Sequence, residues 1–349
     1  GENMDKKIRR NKIRRVRQVR RVKKILLSGV LVMAALLLVF LVFVPKVSAK
    51  RESKAQAARE IELEAKMTKV TIGAVGTCIF GDERGTGEKG SFLEAYERAE
   101  NPGYFFRNVK TELEKADINV ANFIGDMSDE TAAARKHPIK GQKEYAEIFK
   151  EGSIDLVNLA NDRTKDYGQD GYYDTAIALN EAGVAAFGND RVSFKNINGI
   201  QIGFIGIDVL DRSMDMQALL IKNIKLAEGA GAHMIVVCMN WGKEGAEKPS
   251  KSQEEWAHRA VEAGADLVLG YHPSHVQQVE RYEGSYIIYS LGVFCNGAEK
   301  KPEVWDGVIY RQTFGFLDGK LAKAWEPEQI PCRISSDSGE NNFQPELDV

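Results

Sequence analysis

From Val70 onward the chain alternates short, mainly apolar runs with stretches of helical spacing. The apolar runs are Val70–Gly76, Ile118–Ile124, Ser153–Ala160, Ile200–Ile207, Met234–Asn240, Ala265–Gly270 and Ser285–Gly292. Runs rich in Val, Ile and Leu, with no polar alternation, predict strands buried on both faces. Between them, Tyr104–Ala116, Gly171–Ala182 and Ser252–Ala263 predict helices. This repetition of strand and helix predicts an α/β fold. About 265 residues, from 68 to 333, are enough to bury a large core. No internal repeat is visible.

A different pattern precedes it. Ile25–Val44 is apolar but for Ser28 and carries no charge. It is about as long as a helix needs to cross ~30 Å of hydrocarbon. A cleavable signal peptide has a shorter apolar core, roughly 7–15 residues. The segment therefore reads as an uncleaved anchor, although Val47-Ser48-Ala49 also offers a cleavage site after Ala49. Residues 1–24 hold twelve Lys or Arg against Glu2 and Asp5. Directly beside an apolar span, such a run is a topology signal rather than a nucleic-acid arm. It places the N-terminus in the cytoplasm and residue 45 onward outside the cell membrane, on a single pass. Lys50–Lys66 is rich in Ala, Glu, Lys and Arg and predicts a helical stalk. The predicted organisation is a basic cytoplasmic segment (1–24), an anchor (25–44), a stalk (45–67), a globular domain (68–333) and a polar, disordered tail (334–349).

The net charge of −2 hides an asymmetry, because the first 24 residues are strongly basic and the remainder is acidic. An acidic domain does not bind polyanions over its whole surface, and no basic stripe with interleaved aromatics marks a nucleic-acid partner. Cys78, Cys238, Cys295 and Cys332 show no C-x-x-C spacing and read as buried free thiols. There is no G-x-S-x-G elbow and no phosphate-binding loop of the G-x-x-x-x-G-K type.

In open α/β sheets, chemistry gathers at the carboxyl ends of the strands. Five such ends read GTCIFG (76–81), NFIGDMSD (122–129), NDRTKDYG (161–168), MNWGKEG (239–245) and GYHPSHVQ (270–277), followed by YSLGVF (289–294). Together they resemble CapA-type poly-γ-glutamate synthesis proteins, whose domain is metallophosphatase-like. The resemblance covers roughly Val70 to Ile334. It implies a sandwich of two mixed sheets flanked by helices, and patterns of the form G-D-x-M-x-G, N-L-E-G-P, N-N-H-T-x-D-x-G, H-W-G-x-E and G-x-H-P-H.

The resemblance also implies where metal ligands would stand, and several are altered here. Thr77 replaces an Asp, Ile124 a Glu, Arg163 a His and Asn240 a His, while Val293 replaces the Asn of S-L-G-N-F. A hydroxyl, an alkyl group and a guanidinium are poor or impossible ligands for a divalent metal. Asp162 and His272 remain as vestigial metal ligands, and His275 stands one residue late. The expectation is therefore no cofactor, or at most one weakly bound divalent Mn, Zn or Fe. Asp162, His272 and His275 are the catalytic candidates. Arg163, with Asn161, Asn240, Trp241 and Glu244, is the candidate anion-binding set, since a guanidinium offers fixed charge where a metal would. The plain alternative is that Arg163 pairs with Asp162, Asp166 or Asp170. The resemblance implies a membrane-anchored extracellular accessory or binding protein. Its expected partners are the bilayer, an anionic polymer such as poly-γ-glutamate and a membrane synthase or export complex. The competing expectation is a metal-dependent phosphoesterase or amide hydrolase or ligase with a rearranged site that draws in Asp126.

Overall fold

The structure, a computed structural model, describes residues 2–83 and 87–348. It divides into two units, Gly1–Lys66 and Met67–Val349. The first is one helix, α1 (Glu2–Lys66). Within it, Gln18–Leu41 is long and apolar enough to cross a membrane. The expected basic segment, anchor and stalk all lie along this helix. Near its end the Lys66 ammonium meets the Glu62 carboxylate one turn back at 2.8 Å, a spacing that supports a helix. The side chains of Val47, Ser48 and Ala49, the proposed cleavage site, lie outside the described ones.

The second unit is built on two mixed sheets. In order of neighbours the first sheet holds β17 (Glu346–Leu347), β16 (Glu328–Arg333), β14 (Asp306–Leu317), β1 (Thr68–Ile79), β3 (Ile118–Ile124), β5 (Leu156–Asn158) and β6 (Ala185–Phe187). In addition β13 (Val293–Asn296) pairs with β1, and β15 (Lys320–Ala324) pairs with β14. The second sheet runs β11 (Val279–Tyr282), β12 (Ser285–Ile288), β10 (Leu267–Tyr271), β9 (Met234–Asn240), β8 (Ile200–Asp208) and β7 (Ser193–Ile197). A short ribbon joins β2 (Asp82–Glu83) to β4 (Ile139–Lys140). Around the sheets lie α2 (Phe92–Arg98), α3 (Lys110–Leu113), α4 (Ala146–Glu151), α5 (Gly168–Glu181), α6 (Met216–Gly229) and α7 (Lys251–Ala263).

Strand periodicity explains the layering. Along β9, Met234, Val236 and Cys238 pack between the sheets with Ile72, Val120 and Phe204. The alternate residues Ile235, Val237 and Met239 pack beneath α6 and α7 with Leu220, Ile224 and Ala257. Side chains that alternate between two buried faces require an apolar residue at every position, which is why the run is continuous. On the outer face of the first sheet, Val75, Cys78 and Phe123 pack with Phe149 and Leu179. This is the two-sheet, helix-flanked sandwich that the sequence predicts. All four cysteines are buried and free.

The tail is a correction. Polar composition predicts disorder from Ile334 on, yet Ile334 and Phe343 are buried. β17 extends the first sheet by pairing Cys332 with Leu347. The Phe343 ring meets Phe92 at 5.3 Å, edge to face. Polar groups here bond one another and the domain: Asn341 Nδ2 donates to the carbonyls of Asn296 (2.6 Å) and Glu299 (2.8 Å). Composition reports polarity but not whether the polar groups find partners.

Candidate functional site

Parallel pairing aligns the carboxyl ends of β1, β3 and β5 in the first sheet, with Thr77 beside Asn122 and Asn122 beside Asn158. In the second sheet it aligns Asp208, Asn240 and Tyr271. The two sheets approach closely at this end. A Cβ on Gly206 of β8 would collide with the Asn158 side chain of β5.

At the first sheet's ends the side chains bond to each other. Asn122 Nδ2 donates to Thr77 Oγ1 at 3.2 Å, and Asn158 Nδ2 donates to Asn122 Oδ1 at 2.9 Å. Asn161 Nδ2 donates to the Phe123 carbonyl at 2.7 Å, while its Oδ1 accepts from the Arg163 N–H at 3.1 Å. Thr77, Asn122, Asn158 and Asn161 are all buried. Burial of this many amides is tolerated because each finds partners. Ile124, half-buried at the end of β3, contributes no polar atom.

At the second sheet's ends Asn240 is fully buried, and its Nδ2 donates to Asp208 Oδ1 at 2.9 Å. Asn240 Oδ1 has no partner among the described residues. Burial pushes the Asp208 carboxyl above the usual range; the Asn240 bond and the Leu210 N–H oppose this, and the nearby Asp162 and Asp211 carboxylates add to it. Trp241 is completely buried, donates Nε1 to the Tyr289 carbonyl at 2.8 Å and stacks on the Tyr289 ring. It is a core residue and not a surface for polymer, a correction to its expected binding role. His272 is half-buried with a φ of 94°, uncommon for a residue with a Cβ.

The turn after β5 organises the remaining candidates around Asp166, which is buried. Arg163 Nε and Nη2 bond its Oδ2 at 3.0 and 2.8 Å, and Ile139 N–H bonds the same oxygen at 2.9 Å. Arg163 Nη2 also donates to the His137 carbonyl at 2.6 Å. Arg163 is thus spent inside the protein, the plainer of its two expected roles. Asp162 meets a second guanidinium, Arg135, at 3.3 Å. Asp126 is fully buried; its Oδ1 accepts from Ser128 N–H at 3.0 Å and from Lys140 Nζ at 3.2 Å. Those contacts commit Asp126 to the β4 segment, so it does not take the place of Ile124.

His275 and Glu244 line a cleft of ≈ 900 Å³ together with Lys243, Glu299, Ile79 at the end of β1 and Val293, the strand partner of Thr77. Burial, then the carboxylates of Glu244 and Glu303, push Glu299 above the usual range. The same cleft also holds Lys243 and Lys301, so both signs of charge line it.

Among the described residues, no group of three or more His, Cys, Asp or Glu is arranged to hold a metal ion. Thr77 Oγ1 and Asn240 Nδ2 are engaged in side-chain bonds while Asn240 Oδ1 is left open, the Ile124 side chain has no lone pair, and the Arg163 guanidinium can only donate. The sequence reading missed Asp208, Asn122, Asn158 and Arg135. Asp208 was open to the same rule that found the others, since it is the first polar residue after the run Ile200–Ile207. Arg135 lies in an exposed loop with no periodic signal.

Comparison with known proteins gives a consistent set of relatives. A family model described as bacterial capsule synthesis protein PGA_cap matches residues 71–298. The chain is 29% identical over 218 residues to capsule biosynthesis protein CapA of Bacillus anthracis, covering 55% of this chain and 53% of that protein. It is 25% identical over 228 residues to PGA biosynthesis protein CapA of Bacillus subtilis (strain 168), covering 59% and 60%. A probable polyglutamine synthesis accessory protein of Mycobacterium tuberculosis is 23% identical over 163 residues, covering 38% and 43%. The matched region thus spans 53% and 60% of the first two of these relatives. Among solved structures, a novel phosphatase from Mycoplasma pneumoniae aligns with a TM-score of 0.48 at 11% identity, over 76% of this chain and 94% of that one. A hypothetical protein from Thermus thermophilus aligns with a TM-score of 0.46 at 13% identity, over 75% and 99%.

Proposed function

The chain belongs to the bacterial capsule synthesis family PGA_cap, and from that premise we propose that it is a membrane-anchored accessory protein that binds an anionic capsule polymer, poly-γ-glutamate, without turning it over. In this reading the anchor, residues 25–44 of the long apolar helix, crosses the bilayer, the basic N-terminus stays in the cytoplasm and the sandwich works outside. A membrane synthase or export complex acts beside it. One observation carries the non-catalytic part. The side chains at the strand ends are tied to one another, Thr77 to Asn122 and Asn240 to Asp208, rather than held apart around a metal. Two-metal hydrolysis needs ions ~3.5–4 Å apart that clamp the attacking and leaving oxygens, and the one carboxylate in these two pairs, Asp208, already accepts from Asn240 Nδ2.

A second reading, metal-dependent hydrolysis at a rearranged site, draws on His272. Its φ of 94° is the kind of backbone strain that clusters at functional sites. The two readings separate in one experiment: full-length protein in detergent is mixed with poly-γ-glutamate oligomers, with and without Mn or Zn, and both binding and oligomer length are followed. Binding with unchanged length is expected. Shortening that depends on added metal would favour hydrolysis, and absence of binding would remove the polymer from the proposal.

A further inference from the structure

Two guanidiniums stand at the β5 turn in unlike situations. Arg163 bonds Asp166 Oδ2 through both Nε and Nη2 and carries the His137 carbonyl as well. Its carboxylate partner is 1% exposed. Removing Arg163 from that carboxylate would strand a buried charge, so it is not available to a ligand.

Arg135 is 41% exposed, and its partner Asp162 is 31% exposed. Its side-chain contacts are long, 3.3 Å to Asp162 Oδ2 and 3.4 Å to Asp166 Oδ1. It also donates to the Asp162 carbonyl at 3.1 Å. An ion pair this open to water is weak and cheap to exchange, because solvent restores much of what separation loses. The loop that carries Arg135 is itself well held. Ala134 N–H donates to the Asp166 carbonyl at 2.8 Å, and Ile139 N–H donates to Asp166 Oδ2 at 2.9 Å. The backbone is thus fixed on both sides of a side chain that remains free to re-pair. Lys136, exposed and next in sequence, adds a second positive charge.

We propose that Arg135 is the carboxylate-recognising residue of this protein, and that Asp162 is its internal competitor. A pendant carboxylate of an incoming anionic polymer, the α-carboxylate in poly-γ-glutamate, replaces Asp162 on the Arg135 fork. The new pair gains the planar, two-bond geometry that a guanidinium prefers, while Asp162 turns to water. This rests on the polymer-binding reading above and moves the anion contact from Arg163 to Arg135.

Calorimetric titration of full-length detergent-solubilised protein with a poly-γ-glutamate oligomer at low salt tests it. Arg135→Ala should weaken binding about three- to tenfold, the scale of one accessible charged hydrogen-bonded pair. Arg135→Lys should lose part of that, since an ammonium keeps the charge but not the fork. Asp162→Asn should tighten binding about two- to fivefold by removing the competing charge. A purely structural Arg135 would not produce that gain. Wild-type binding that is unchanged by Arg135→Ala and not tightened by Asp162→Asn would overturn the assignment and leave the polymer reading standing. A wild-type protein that binds no oligomer would overturn both.

Discussion

Asp166 shows how one side chain can decide a neighbourhood. It is buried, and it takes bonds from Arg163, Arg135 and the Ile139 N–H. Asp166→Ala would leave Arg163 without its partner and the loop before β4 untied. Breaking a buried pair by removing one member costs about 3–5 kcal/mol, so denaturant titration should show a loss of that order, against little change for Asp170→Ala. Asp266 makes a pH prediction. Burial pushes its carboxyl up to about 6, opposed by the Ile235 N–H that it accepts. The folded protein therefore binds a proton more tightly than the unfolded chain, whose Asp titrates near ~3.9. Stability from this group falls as pH rises from about 4 to 6 and stays lower above. Asp266→Asn keeps an acceptor for Ile235 and should flatten the stability profile across that window in melts at stepped pH. An unaltered profile would count against the raised value. The strand-end positions were legible in the sequence at this scale. Their hydrogen-bond partners were not, because Thr77 and Asn122 lie 45 residues apart.

At the scale of elements, strands were the easiest to read, since continuous apolar runs follow from burial on both faces. Helices α5 and α7 sit close to their expected places, and α7 opens with a capping box between Ser250 and Gln253. The tail was misread because SSDSGENNFQPELD is polar by composition, whereas order comes from one apolar anchor and paired amides. Phe343 is 2% exposed and packs on Phe92. Phe343→Ala should cost about 3–5 kcal/mol, the usual penalty for emptying a buried aromatic site. It should also raise hydrogen exchange in β16 and β17. A loss below about 1 kcal/mol would mean that the tail does not pack as described.

For the whole molecule, the division at Lys66 separates one long helix from a self-contained sandwich. Full-length protein should fractionate with membranes and need detergent for release, whereas residues 67–349 should stay in the soluble fraction. Carbonate extraction of both forms checks this. Family and fold were readable because scaffold motifs such as G-x-H-P and S-L-G survive in this chain. Chemistry was open only to expectation, since a sequence shows which side chains stand at the strand ends and not what they hold. The most direct test is therefore elemental. Full-length protein in detergent is incubated with manganese, zinc or iron, desalted, and its retained metal counted per chain. At most one weakly held equivalent is expected. Two retained equivalents per chain would contradict the reading of the strand ends as a hydrogen-bonded lattice and make this an intact two-metal site.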